Sequence, residues 1–369
     1  MEILLRSVTG IVPGQAVMWL LGGVLIYLAI ARRMEPTLLL PMGFGAILMN
    51  LPAAEGGVQQ VLETLFDIGI AGAELFPLLL FIGIGAMIDF GPLLADPKLM
   101  LFGAAAQFGI FFTLGLASAL GFRLPDAASI AIIGAADGPT SIFVATQLGS
   151  RYLGAIMVAA YSYMALVPIV QPPIIRLLTT PAERRIRMKP PGRPVSPLSR
   201  ILFPIGVTVI VGIAAPEAAA LIGFLMFGNL LRECGVLDSL SAAARDVLAN
   251  LITLLLGITI ASRMGWEEFL RWDSLMIIGL GLVAFVFDTV GGVLLAKFLN
   301  LFLKEKLNPM IGAAGISAFP MSARVVHKIG QQEDHQNFLL MHAVGVNVSG
   351  QIASVIAGGL ILSLVKAAL

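Results

Sequence analysis

The chain alternates long apolar runs with short polar breaks. A helix that crosses a bilayer needs about 20 mostly apolar residues. Apolar segments of that order recur near 15–31, 36–51, 72–88, 99–122, 125–149 and 151–175, and again near 201–215, 217–232, 251–264, 274–303, 307–330 and 336–365. Two amphipathic stretches, Val58 to Ala73 and Val236 to Leu248, read as helices at the interface or lining the bundle. Between the two sets lies a polar, Pro- and Arg-rich loop, 176–200. The pattern predicts an all-α polytopic membrane protein. Residues 1–175 and 201–369 form two membrane repeats of one integrated domain, joined by 176–200.

Two segments break the apolar pattern where the membrane centre is expected: GAADGPTSIF (134–143) and GAAGISAFPMSARVV (312–326). Gly, Pro and small polar residues at that depth read as broken helices or re-entrant hairpins, tolerated where they are buried or line a cavity. The two halves also match in sequence. Pro36 and Gly43-Phe44 recur 180 residues later as Pro216 and Gly223-Phe224, and Gly134, Pro139, Ser141 and Gly149 recur 181 residues later as Gly315, Pro320, Ser322 and Gly330. With five crossings and one hairpin per repeat, the second repeat is inverted. Placing 176–200 inside then puts 17 basic residues inside and 6 outside, with both termini outside, as the positive-inside rule requires. Inverted repeats with interrupted segments at matching places point to a transport site at the midplane.

Composition narrows the class. Hydrophobic residues make up 58% of the chain and charged residues only 12%, against about a quarter charged in soluble domains. The mean hydropathy is +0.95. A net charge of +1 argues against nucleic acid as a partner. Cys234 is the one cysteine, which excludes a disulfide framework. Met1 to Gly14 lacks the cleavage pattern of a signal peptide, so Ala16 to Ile30 reads as a retained helix. His327, His335 and His342 have no metal-site spacing, and the first two are expected in an exposed loop.

An acid inside the bilayer is costly and is a functional candidate by default. Asp137 sits at the tip of the first broken segment, beside Thr140 and Ser141, and Asp288 lies in LVAFVFDTVGGVLL. A carboxylate among hydroxyls and freed carbonyls suits a hard cation such as Na⁺, although Asp137 also fits a helix cap. Asn308, Ser317, Ser322 and Arg324 are the polar groups of the second broken segment. Tyr161-Ser162-Tyr163 and Asn347, Ser349 and Gln351 interrupt the sixth and twelfth segments. On these residues alone, a secondary transporter of an organic ion, or of Na⁺ and H⁺, with no chemistry remains open.

The motifs GAADGPTSIF, GNLLRECGV (228–236), FDTVGG (287–292), NPMIGAAGISAFPMSARVV (308–326) and NFLLMHAVGVNVSGQ (337–351) resemble the beta subunit of sodium-pumping biotin-dependent decarboxylases, the membrane subunits of oxaloacetate, methylmalonyl-CoA, glutaconyl-CoA and malonate decarboxylases. The resemblance covers nearly the whole chain from about residue 20. It implies a subunit of the inner (cytoplasmic) membrane that decarboxylates carboxybiotin, consumes a proton and exports Na⁺. The implied partners are a soluble carboxyltransferase subunit, a biotin carrier subunit or domain and a small accessory membrane subunit, with the chain itself a homo-oligomer within the complex. Biotin would be supplied by a partner, since Met188-Lys189 is followed by Pro190 in a basic loop. By resemblance, Asp137, Asn308 and Asn347 are Na⁺ ligands or their close support, with Gly312 in the same motif. Tyr163 and Ser317 serve a second cation position or the proton path, and Arg324 anchors the carboxylate of carboxybiotin. One departure is Val346, where the family pattern leads one to expect a Pro before Asn347.

Overall fold

The computed structural model describes residues 11–52, 57–72, 74–189 and 195–369. Most of Met1 to Gly14, including Arg6, lies outside the described residues, as do Ala73 and the Pro190–Pro194 part of the basic loop. Every regular element among the described residues is helical. In the first half these are α1 (Pro13–Ala31), α2 (Pro36–Met49), α3 (Val58–Phe66), α4 (Leu75–Met87), α5 (Gly91–Ala95), α6 (Met100–Ala105), α7 (Phe108–Ala119), α8 (Leu124–Ala131), α9 (Gly138–Gln147) and α10 (Leu153–Leu178). The short α11 (Pro181–Arg184) follows. The second half contains α12 (Pro197–Ala214), α13 (Ala219–Glu233), α14 (Asp238–Ala242), α15 (Ala249–Ile260), α16 (Trp266–Phe269), α17 (Trp272–Phe302), α18 (Met321–Glu333) and α19 (Leu340–Ala368).

Seven helical stretches are long and apolar enough to cross a membrane. The other three of the ten expected crossings are α2, α4 and α13, with 14, 13 and 15 residues. At about 1.5 Å per residue each is about 20 Å long, short of a hydrocarbon core of about 30 Å. α2 begins at Pro36 after a left-handed Glu35, and α13 follows a turn of 3₁₀ helix at Pro216–Ala218.

The packing interleaves the two halves. α2 packs on α15 while α13 packs on α4. α10 packs on α17 and α18, while α19 packs on α6 and α9. Small residues permit the close crossings. A Cβ on Gly85 would collide with the backbone of Leu225, and one on Gly228 with that of Ile82, so α4 and α13 meet backbone to backbone.

The basic loop is shorter than 176–200, because α10 runs through Arg176 and α12 starts at Pro197. Its charges turn back onto this chain. Arg184 Nε pairs with Glu333 at 2.7 Å, Arg187 with Asp334 at 2.7 Å and Lys189 with Glu305 at 2.6 Å. The Arg187 hydrogen bond holds the Asp334 carboxyl below its usual range. A depressed folded pKa means that this tether is complete above the ordinary carboxylate range and is lost as pH falls through the depressed value. Limited proteolysis near Arg187 is expected to accelerate at acid pH and to be insensitive to pH between 6 and 8. His327 corrects the expectation of a loop position: it lies within α18, half-buried, because the apolar face of that helix continues through Ile329, and its ring stands 6.1 Å from that of Phe338. His335 does occupy an exposed turn.

Candidate functional site

Both polar segments interrupt their helices. In the first, α8 tightens into a 3₁₀ turn, Ile132–Ala135, and Ala136 takes a left-handed backbone (φ 50°). Asp137 then caps α9, whose Gly138-Pro139 start suits a first turn that has no use for its N–H groups. In the second, a 3₁₀ stretch, Pro309–Gly315, gives way to extended backbone at Ile316 before α18 begins at Met321. The two tips meet. Ser317 donates to the Ala135 carbonyl through its backbone N at 3.1 Å and its hydroxyl at 2.8 Å.

Asp137 is buried among oxygen and nitrogen groups. Its Oδ2 accepts from the Thr140 hydroxyl at 2.7 Å, from Gln351 Nε2 at 3.0 Å and from the Ser354 hydroxyl at 3.0 Å. No basic side chain pairs with it among the described residues. A carboxylate at this depth is stable only when its lone pairs are satisfied and its charge is neutralised. The hydrogen bonds do the first; a cation or a proton does the second. Ser141 donates to the Asp137 carbonyl at 2.8 Å and so fixes the cap from below.

A cavity of about 350 Å³ opens onto this group. Asp137, Pro139, Ser317 and Gln351 line it together with Arg324, Glu35, Arg245 and Asp246. Arg245 and Asp246 satisfy each other through two 2.8 Å contacts. Arg324 forms no ion pair among the described residues and is exposed to the cavity.

The structure therefore brings together Asp137, Thr140, Ser141, Ser317 and Arg324. Asn347 supports the second tip: its Nδ2 donates to Ile316 O at 2.7 Å, Ser322 Oγ at 3.0 Å and Ala314 O at 3.2 Å, and its Oδ1 is buried without a partner among the described residues. α19 runs unbroken through Val346 and Asn347, so the missing Pro leaves regular helix there. Asn308 and Tyr163 are not among the residues lining this cavity. Asn308 donates to the carbonyls of Arg184 and Ile186, both at 2.9 Å, and accepts from Met310 N at 3.1 Å, clamping the base of the second segment to the basic loop. The Tyr163 hydroxyl donates to the Ile278 carbonyl of α17. Gly312 lies against Gly292, with no room for a side chain on either. Asp288 accepts from Ile110 N at 3.2 Å, and its second oxygen is buried without a partner among the described residues. It too is absent from the cavity lining.

Gln351 of α19 and Tyr161 of α10, which the sequence marks as polar interruptions, join the site, and so does Ser354 of α19, which it does not single out. Tyr161 packs its ring against Gly138, and its buried hydroxyl has no partner among the described residues. The signal for Ser354 was its polarity three residues after Gln351 in an apolar helix, which does not reveal which face meets Asp137.

Comparison with known proteins places the geometry in context. Residues 14–365 match the family described as the Na⁺-transporting oxaloacetate decarboxylase beta subunit. The chain is 48% identical to the methylmalonyl-CoA decarboxylase subunit beta of Propionigenium modestum, with 96% of each chain covered. It is 45% identical to the probable oxaloacetate decarboxylase beta chain of Pasteurella multocida, covering 96% of this chain and 95% of the relative. It is 48% identical to the glutaconyl-CoA decarboxylase subunit beta of Acidaminococcus fermentans, covering 95% and 93%.

Proposed function

The chain belongs to the Na⁺-transporting oxaloacetate decarboxylase beta subunit family, and from that membership we propose that it decarboxylates carboxybiotin presented by a partner subunit and couples that step to Na⁺ export. The observation that carries the reading is that Arg324 and Asp137 line the same cavity of about 350 Å³. Arg324 makes no ion pair among the described residues, which leaves its guanidinium suited to grip a carboxylate. Asp137 supplies the charge that Na⁺ requires. Thr140, Gln351 and Ser354 hold that carboxylate in one orientation, and Ser317 and Asn347 fix the facing tip. Asn308, Gly312 and Tyr163 act as close support of the two segments, and Ser141 as support of the cap. Asp288 stands as a secondary cation or proton position.

In the reaction the N–CO₂⁻ bond of carboxybiotin breaks, its electron pair stays on the ureido nitrogen, a proton joins that nitrogen and CO₂ leaves. Moving one charge outward against 100 mV costs about 2.3 kcal/mol, which the decarboxylation supplies. The two halves, related as inverted repeats of five crossings and one hairpin with both termini outside, move against each other so that Asp137 faces one side at a time. Biotin carrier, carboxyltransferase and a small accessory membrane subunit complete the complex in the inner membrane, where the chain self-associates.

The test is to purify the chain with its co-purifying subunits and assay decarboxylation with and without Na⁺ and avidin. Activity indifferent to both would overturn the proposal. Arg324→Gln is expected to lower turnover about 10- to 100-fold, the worth of one charge-assisted contact of about 1.5–3 kcal/mol, while the Na⁺ concentration for half-activation moves less than two-fold. A shift in Na⁺ activation with unchanged carrier dependence would move Arg324 to the ion site.

A further inference from the structure

We propose that Glu35 delivers the proton consumed when carboxybiotin loses CO₂, acting from the cavity that it shares with Arg324. The inference rests on the decarboxylase reading above and assigns a role that the ion site leaves open.

Three carboxyl groups line the cavity, and two are already engaged. Asp137 is held by Thr140, Gln351 and Ser354. Asp246 is locked to Arg245 through both oxygens. Glu35 alone forms neither a hydrogen bond nor an ion pair through its carboxyl among the described residues, although it is only partly exposed. The charged groups that share its space are Arg324 from α18, the self-neutralised Arg245–Asp246 pair from the helix turn before α15, and Asp137.

Backbone geometry presents this side chain at a cost. Glu35 has a left-handed backbone, φ 33° and ψ 62°, one residue before Pro36. A residue with a Cβ is rare there, and such strain collects where function demands it. The Glu35 carbonyl starts α2 by accepting from Leu38 and Leu39, so the backbone does the capping and the side chain is left free. Burial pushes the Glu35 carboxyl above its usual range, and Arg324 pulls it partly back. An acid so placed holds a proton nearer neutral pH than an exposed glutamate does, as a proton donor requires.

The step balances without another reactant. The N–C bond breaks, the electron pair remains on nitrogen, the Glu35 proton moves to that nitrogen, CO₂ leaves, and water on the cavity side reprotonates Glu35.

The test uses the purified multisubunit complex. E35Q is expected to lower turnover about 100-fold at neutral pH, the usual worth of a positioned acid, with the Na⁺ concentration for half-activation within two-fold of wild type. E35A is expected to recover turnover as formic acid is added, in proportion to the protonated form, because a small acid replaces the missing donor. E35Q within three-fold of wild type and with an unchanged pH profile overturns the proposal. So does an E35A complex that loses turnover and gains nothing from formate, since that loss is structural. A wild-type complex indifferent to avidin defeats the underlying decarboxylase reading instead, whereas these outcomes in an avidin-sensitive, Na⁺-activated complex bear on Glu35 alone.

Discussion

Asp137→Asn is expected to abolish Na⁺-dependent turnover, with a loss of about 100-fold or more. The change keeps the volume of the side chain and removes its charge. It also turns a good acceptor cluster into a conflict. Asp137 Oδ2 now accepts three donors, from Thr140, Gln351 and Ser354. An amide nitrogen at that position would face three donors with a fourth, and an amide oxygen there would accept more weakly than a carboxylate. Hydrogen bonds to a charged group are worth about 1.5–3 kcal/mol each, and about 1.4 kcal/mol is a factor of ten. Losing the charge-assisted share of even one or two accounts for the expected loss before the ion's own attraction is counted. The measurement is Na⁺ activation of decarboxylation in the purified complex, with the thermal midpoint as a control for folding. A variant that folds and keeps the wild-type Na⁺ dependence would move the ion to another acid, with Asp288 the next candidate.

Gly312→Val is expected to be the most damaging of the small substitutions, and through packing rather than through ion binding. Gly312 in the 3₁₀ stretch Pro309–Gly315 and Gly292 in α17 face each other, and a Cβ on either would run into the carbonyl of the other. Gly350 and Gly315 form a similar crossing on the α19 side. The second interrupted segment is thus gripped between two helices at glycine contacts. Overpacking a tight site costs about 1–3 kcal/mol, and more where the obstacle is backbone that cannot rotate away. The expected outcome is a lower thermal midpoint and poor recovery of the assembled complex, with Gly292→Val behaving alike. A Gly312→Val complex that is stable but Na⁺-insensitive would give Gly312 a direct part in the ion site.

The two predictions mark different kinds of legibility. Asp137 stood out because a carboxylate amid Gly, Pro and hydroxyls has no place in lipid, so burial, cavity and chemistry were all implied by one residue in context. Of its partners, Thr140 was legible beside it, but the distant ones were not. Gln351 and Ser354 lie more than 200 positions away on a helix whose polar residues all look alike in sequence. For Asn308 and Tyr163 the resemblance implied an ion ligand or its support, and a second cation position or the proton path. In the structure Asn308 holds three backbone groups and Tyr163 donates to a helix carbonyl, and neither lines the cavity of Asp137.

Apolar length, and Gly and Pro where helix cannot continue, were enough to read a helical, membrane-embedded chain and the two places where it is interrupted. The family was legible through the likeness of its motifs. The tertiary structure alone decided which side chains surround Asp137, that Ser317 ties one interrupted tip to the other, that the basic loop folds back on α18, and that Glu35 shares a cavity with Arg324. These depend on how helices far apart in the chain rotate and cross. A helix shows every face to the sequence reader, and only packing selects the one that is used.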